Sequence, residues 1–155
     1  MSLKNIGVSS SIIREALLKG DIKTAAENLG RPYEFTGKVE EGRKLGRTIG
    51  FPTANISSTE EQKLVPADGV YAVLIEIGKK SYKGMLNIGV RPTVDGHRRK
   101  IEVNIFHFDR DIYGAQIVVR FVKRLRDEIK FPDLEALKSQ LNKDKYLAES
   151  ILSKY

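Results

Sequence analysis

Cysteine is absent from the 155 residues, so neither a disulfide framework nor a thiolate metal site is open to this chain. The same lack is compatible with a cytoplasmic location. Histidine occurs twice, at His97 and His107, and no spacing around them makes a zinc triad. No segment approaches the ~20 apolar residues of a membrane span; the longest strongly apolar run is Val70 to Ile75. No secretory n-region and h-region is visible. Several catalytic signatures are missing too. There is no G-x-x-x-x-G-K-[ST] loop, no G-x-G-x-x-G, and no protein-kinase catalytic loop. No Ser-His-Asp arrangement stands out. Basic stripes with interleaved aromatics, the usual mark of a nucleic-acid surface, are also lacking.

What the chain does have is an excess of positive charge, 27 Lys and Arg against 20 Asp and Glu, net +7. Such a balance favours an anionic partner. The basic residues are spread out, with one small cluster at His97-Arg-Arg-Lys100. Charge alone does not choose among a nucleotide, a nucleic acid and a membrane surface; no nucleic-acid and no membrane partner is expected.

The most distinctive stretch runs from Gly42 to Asn55, with glycines at 42, 46 and 50 and basic side chains at Arg43, Lys44 and Arg47 between them. Glycine lets backbone N–H groups approach an anion with no Cβ in the way, and such turns can form anion-binding concavities. Pro52 then stiffens the chain. Thr53 and Asn55 are two apart, so an extended backbone points both to one face. Two neutral oxygen donors beside a basic glycine-rich loop suggest a Mg²⁺-nucleotide site. Taken alone, an ordinary surface loop carries the same residues.

Residues 9–30 read as two short helices. Ser9, Ser10 and Ser11 offer N-caps to the first and Gly20 stops it; Asp21 caps the second and Gly30 ends it. From Tyr33 the pattern turns to strands, expected over Glu34–Glu40, Thr53–Ile56, Val70–Ile77, Ser81–Ile88, Ile101–Phe108 and Ala115–Leu125. Pro132 and Asp133 open a helix carrying Leu134, Leu137 and Leu141, and a last short helix is expected after Asp144. Six short strands joined by turns predict a mainly β protein, an antiparallel sheet or closed barrel, with helices at both ends.

A second constellation lies in Ile101-Glu-Val-Asn-Ile-Phe-His-Phe108. Ile101, Val103 and Ile105 share one face; Glu102, Asn104, Phe106 and Phe108 share the other. A carboxylate among aromatics tends toward a raised pKa, which suits a general base. The plain alternative is a solvated Glu on an amphipathic strand. Asn87-Ile-Gly-Val-Arg-Pro-Thr93 reads as a defined loop at Gly89 and Pro92, with Asn87 and Thr93 available to a ligand or to turn capping. Arg126, in Leu125-Arg-Asp-Glu128, can meet a phosphate, a ring face or a surface carboxylate.

Taken in order, four blocks resemble the riboflavin kinase family, the flavokinase module of bacterial bifunctional riboflavin kinase/FAD synthetases. They are Leu45-Gly-Arg-Thr-Ile-Gly-Phe-Pro-Thr-Ala-Asn55; Gly69-Val-Tyr71 with Asn87 to Thr93; Glu102 to Phe108 with Asp111-Ile-Tyr-Gly114; and Leu125-Arg126, Glu128 and Lys130-Phe131. The match covers about residues 31–155, and Asn104 stands where bacterial members often have His. The resemblance implies a six-stranded antiparallel Greek-key barrel with flanking N- and C-terminal helices. It implies ATP with Mg²⁺ on one side of the site and riboflavin on the other, FMN and ADP being the products. Thr53 and Asn55 then look like the Mg²⁺-nucleotide residues and Glu102 like the catalytic base. Gly42, Gly46, Arg47 and Gly50 look like a flap over ATP, with Asn87 and Gly89 also on the nucleotide side. Arg126 and Phe106 look like the flavin side. Gly7-Val-Ser-Ser-Ser-Ile-Ile-Arg14 resembles the end of the adenylyltransferase module, while that module's H-x-G-H motif is absent. Residues 1–32 are thus expected to be a helical linker and 33–155 the kinase barrel, the C-terminal part of a bifunctional enzyme without its FMN adenylyltransferase. A non-catalytic flavin-binding or nucleic-acid-binding barrel is the alternative.

Overall fold

The computed structural model of the chain describes residues 6–43, 50–58, 64–94, 96–108 and 110–155. Six strands form the body: β1 (Glu34–Arg43), β2 (Thr53–Ser58), β3 (Gly69–Ile77), β4 (Lys80–Thr93), β5 (Gly96–Ile105) and β6 (Gln116–Arg126). They close in the order β1-β2-β5-β4-β3-β6, every pair antiparallel. The expected Greek-key barrel is present, with no open sheet edge to protect. Alternation decides what lies inside: Tyr71, Val73 and Ile75 of β3, Leu86 and Ile88 of β4, Ile101 and Val103 of β5, and Ile117, Val119 and Phe121 of β6 are all buried in one cluster. Phe121 stacks on Phe35 at 5.7 Å between ring centroids and meets Tyr71 edge-on at 5.2 Å.

β6 departs from simple alternation. Lys123 pairs with Ala72 and Phe121 with Val73, so Val122 is an extra residue; Leu125 is extra in the same way, between Tyr71↔Arg124 and Val70↔Arg126. A bulge adds one residue and re-aims the side chains beyond it. Here the two bulges keep Lys123 out of the barrel and turn Val122 and Leu125 to its outer surface. There they join Phe51, Val70, Ala72, Met85 and Phe106 in a second apolar cluster.

That cluster is covered by one long helix, which we label α3 (Leu134–Leu152), through Leu141, Ala148, Ile151 and Leu152. The expectation of a separate short helix after Asp144 is therefore corrected. Asp144 lies in mid-helix and is buried, receiving hydrogen bonds from Arg126 and Gln140. Its charge is satisfied from the side, so it starts nothing. Asp133 caps α3 by accepting from Ala136 N at 2.8 Å.

At the other end, α1 (Ile6–Lys19) and α2 (Ile22–Leu29) pack Ala16, Leu17, Ile22 and Ala25 into the barrel's own core cluster. Asp21 and Gly30 cap α2 as expected. The serines do not cap α1, which starts at Ile6; Ser10 and Ser11 sit exposed within it. Serine inside a helix costs only about 0.5 kcal/mol against alanine, too little to oppose the apolar face that continues through it.

Two further expectations change. β5 ends at Ile105, because His107 adopts φ 55° and breaks the extended run. Phe106 and Phe108 thus part: Phe106 goes under α3, while Phe108 packs against Tyr82 at 5.0 Å. The stretch Asn87–Thr93 is not a loop but the outer half of β4, paired with β5 through Pro92↔His97. Pro92 lies near the ribbon's tip, where the ladder is ending.

Candidate functional site

Asn55 of β2 lies directly opposite Glu102 of β5, and Glu102 lies directly opposite Asn87 of β4. Residues so paired have Cβ atoms about 4.5–5.5 Å apart on one face. Their strand neighbours Ile56, Ile101, Val103, Leu86 and Ile88 fill the core, so the three polar side chains form a row across the barrel's outer wall. Thr53 lies two residues before Asn55 on the same face, and its Oγ1 donates to Glu102 Oε2 at 3.4 Å. Residues far apart in the sequence therefore meet, and three of the strongest candidates, Thr53, Asn55 and Glu102, are neighbours.

The near end of this row is anchored. Gly50 takes a left-handed φ of 85°, Phe51 is buried under α3, and Asn104 Nδ2 donates to Pro52 O at 2.7 Å. Asn104 is itself 7 % exposed. The substitution noted above thus fixes the start of β2 beside Thr53. Of the glycine-rich stretch, Gly42 lies in β1, next to a register shift between Glu40 and Arg43. Gly46 and Arg47 lie outside the described residues.

At the far end the row opens into a cavity of about 160 Å³ lined by Asn87, Gly89, Lys100, Glu102, Glu128 and Lys130. Lys100 Nζ stands 4.0 Å from Glu102 Oε1. Glu128 is the residue that spacing missed. Asn87 Nδ2 donates to its Oε1 at 3.4 Å, and a Cβ at Gly89 would come within 2.4 Å of its Oε2. Gly89 is therefore required by the close approach of this carboxylate, and a lone glycine in a strand is the one signal that could have indicated it. Loss of solvent around the carboxylate pushes the Glu128 pKa above its ordinary value; Asp68 and Glu102 add repulsion, while Asn87 and Arg126 oppose the rise.

Arg126 and Phe106 lie apart from this cavity, beneath α3. Arg126 makes a forked contact with Asp144, Nη2 to Oδ2 at 2.7 Å and Nε to Oδ1 at 2.9 Å. The pair is 12 % and 3 % exposed, so it is a buried ion pair and not the surface bridge that spacing left open. The guanidinium also lies 5.7 Å from the Phe131 ring centroid. Phe106 is 5 % exposed and has Lys145 Nζ 5.7 Å from its ring centroid. Arg99, from the basic cluster, is occupied with Asp68 and the Val65 carbonyl.

Chemically, the row offers one carboxylate flanked by neutral oxygen and amide groups, with two lysines near. Among the described residues no three acidic or histidine side chains gather to hold a metal. The oxygens of Thr53 and Asn55 fit a hard cation that arrives with its own anionic ligands, as Mg²⁺ does on a nucleotide.

Comparison with known proteins bears on this arrangement. The family model described as Flavokinase, riboflavin kinase, matches residues 29–152. The bifunctional riboflavin kinase/FMN adenylyltransferase of Haemophilus influenzae is 43 % identical over 147 residues, 94 % of this chain and 47 % of that protein. The protein so named in Bacillus subtilis is 46 % identical over 141 residues, 89 % of this chain and 44 % of its own length. The chain thus spans about half the length of these curated relatives. Among solved structures, riboflavin kinase from Trypanosoma brucei aligns with a TM-score of 0.55 at 25 % identity, over 79 % of this chain and 81 % of that one. A Streptococcus pneumoniae structure described as a macrolide-efflux protein aligns with a TM-score of 0.85 at 41 % identity, over 90 % of this chain and 46 % of that one. No helix among the described residues here is long and apolar enough to cross a membrane.

Proposed function

The chain belongs to the riboflavin kinase family, and from that premise we propose that it transfers the γ-phosphoryl group of Mg-ATP to the 5′-hydroxyl of riboflavin, giving FMN and ADP. The observation that carries this reading is the row Asn55–Glu102–Asn87 with Thr53 on Glu102. It sets one carboxylate between the Thr53 end of the row and a cavity.

In this reading Glu102 accepts the proton of the ribityl hydroxyl as its oxygen attacks the γ-phosphorus. The P–O bond to the β-phosphate breaks and ADP leaves with that electron pair. Positioned base catalysis of this kind contributes roughly 10²–10⁴-fold. Thr53 and Asn55 would hold the Mg²⁺ that accompanies the nucleotide, which would supply positive charge to the phosphates. Gly42, Gly46, Arg47 and Gly50 are assigned to the phosphates, a role that glycine's open backbone and the arginine's charge suit. Asn87 and Gly89 complete the nucleotide side beside the cavity. The flavin side is assigned to Arg126 and its neighbours and to Phe106, and takes in the edge of the cavity formed by Glu128 and Lys130. A cytoplasmic location completes the reading. FMN adenylylation is not expected from these 155 residues, since the adenylyltransferase's H-x-G-H motif is absent from them.

The test is direct. The chain is incubated with riboflavin and Mg-ATP, and FMN, FAD and ADP are separated by chromatography. FMN and ADP in equal amounts are expected, with no FAD. Folded protein that yields no FMN overturns the reading. Glu102→Gln then lowers kcat by about 10²-fold or more with riboflavin binding little changed; a kcat within a factor of three of the parent rejects Glu102 as base.

A further inference from the structure

Arg124 has no part in the reaction as described, yet it is among the most constrained side chains in the molecule. The bulge at Leu125 separates it from Arg126: Arg126 pairs with the outward Val70, whereas Arg124 pairs with the inward Tyr71. Its side chain therefore passes to the end of the barrel that α1 and α2 cover. There it runs between two glycines. A Cβ at Gly20, in the turn joining α1 to α2, would come within 2.6 Å of its Nε; a Cβ at Gly69 would come within 2.7 Å of its Nη2. Nη2 donates to the Asp68 carbonyl, the guanidinium lies 5.9 Å from the Tyr71 ring centroid, and Nη1 donates to Asp127 Oδ1 at 2.8 Å.

Asp127 is the last link. Its side chain is 85 % exposed and so gains nothing from burial. It is, however, adjacent to Glu128, whose carboxylate rests on Asn87 and Gly89 in the cavity. We propose that Arg124 is a positioning residue: it ties the segment after β6, through Asp127, to the α1–α2 turn and the start of β3, and so fixes where Glu128 and Lys130 stand in the cavity. The helical pair thereby helps set the acceptor side of the site without touching it. This inference rests on the kinase reading only in taking the Glu128–Lys130 edge of that cavity as the acceptor side.

Asp127→Ala is the chosen variant, since an exposed residue can be truncated without threatening the fold; Arg124→Met keeps the packing between the glycines and Arg124→Lys restores one charged contact. Two readouts are taken together. Amide hydrogen exchange over residues 127–131 should speed up by about tenfold in Asp127→Ala and Arg124→Met, and less in Arg124→Lys. The KM for riboflavin should rise about three- to tenfold in the first two, with kcat and the KM for ATP within twofold, as loss of acceptor positioning requires. Unchanged exchange overturns the clamp. Faster exchange with an unchanged riboflavin KM overturns its link to the site. Absence of FMN from the parent protein removes the kinase reading by itself, and the exchange measurement still decides whether Arg124 orders the segment.

Discussion

Replacing Asp144 with alanine should be among the most damaging single changes outside the barrel core, and the structure gives the size. Arg126 donates three hydrogen bonds to this carboxylate, between 2.7 and 3.0 Å, and Gln140 a fourth at 2.9 Å. In Asp144→Ala the guanidinium, 12 % exposed, keeps one bond to the Asp127 carbonyl at 3.0 Å and its place by Phe131. A buried charge left without its partner costs about 3–5 kcal/mol. For a chain of this length each kcal/mol is worth roughly 2–4 °C, so Tm should fall by about 6–20 °C. Arg126→Met should cost a similar amount, because it strands Asp144 instead. The informative case is Arg126→Met with Asp144→Leu. Removing both charges leaves no unpaired ion under α3, and replacement by apolar groups of similar volume is commonly neutral or stabilising. The double variant should therefore recover most of the loss. Urea unfolding followed by circular dichroism measures all three. Single variants within about 1 kcal/mol of the parent, or a double variant as unstable as the sum of the singles, would refute the view that the pair matters by mutual satisfaction.

Glu128→Gln bears on pH. The raised pKa means that the folded state binds the Glu128 proton more tightly than the unfolded state does. Stability contributed by this group is therefore full below the unfolded carboxylate value and is lost as pH rises through the folded one. Unfolding measured from pH 4 to 8 should show the variant gaining on the parent toward neutral pH, with a flatter profile; a gain confined to low pH reverses the sign and rejects the assignment. Asn104→Ala frees the Pro52 carbonyl from its 2.7 Å bond. A cost of about 1–2 kcal/mol is expected, together with a higher KM for ATP because Thr53 loses its fixed approach. An ATP KM equal to that of the parent would show that Pro52 is held without it.

Most of the barrel was legible because period-2 alternation survives along β1 and the first half of β6, and turn residues such as Gly78 and Gly96 fall where the chain reverses. Thr53, Asn55 and Glu102 could be named from residue type and local spacing, but their meeting depends on register across β2 and β5, which no local pattern encodes. The misreadings have definite causes. Asp144 looked like a helix start because aspartate caps helices; its partner Arg126 lies 18 residues back in sequence. Phe108 was grouped with Phe106 because alternation was carried through His107, whose positive φ ends the strand. Glu128 escaped because its part is defined by Gly89, a residue whose contribution is the absence of a side chain. Arg124 and Arg126 are two apart in sequence, yet the inserted Leu125 sends them to different sides of the wall.

The polar row on the barrel wall has a bearing on how the chain acquires activity. Its members come from β2, β5 and β4, and β5 must reach back across some 45 residues to meet β2 before Asn55 and Glu102 stand side by side. Contacts at such separation form late and slowly, since the intervening chain must first be ordered. No single hairpin can hold the constellation, which needs β2, β5 and β4 side by side. Recovery of turnover after dilution from denaturant should therefore lag the return of β-sheet signal. In this protein the proposed catalysis would itself report the meeting of β2 with β5, a long-range step that the local hairpins β3–β4 and β4–β5 do not supply.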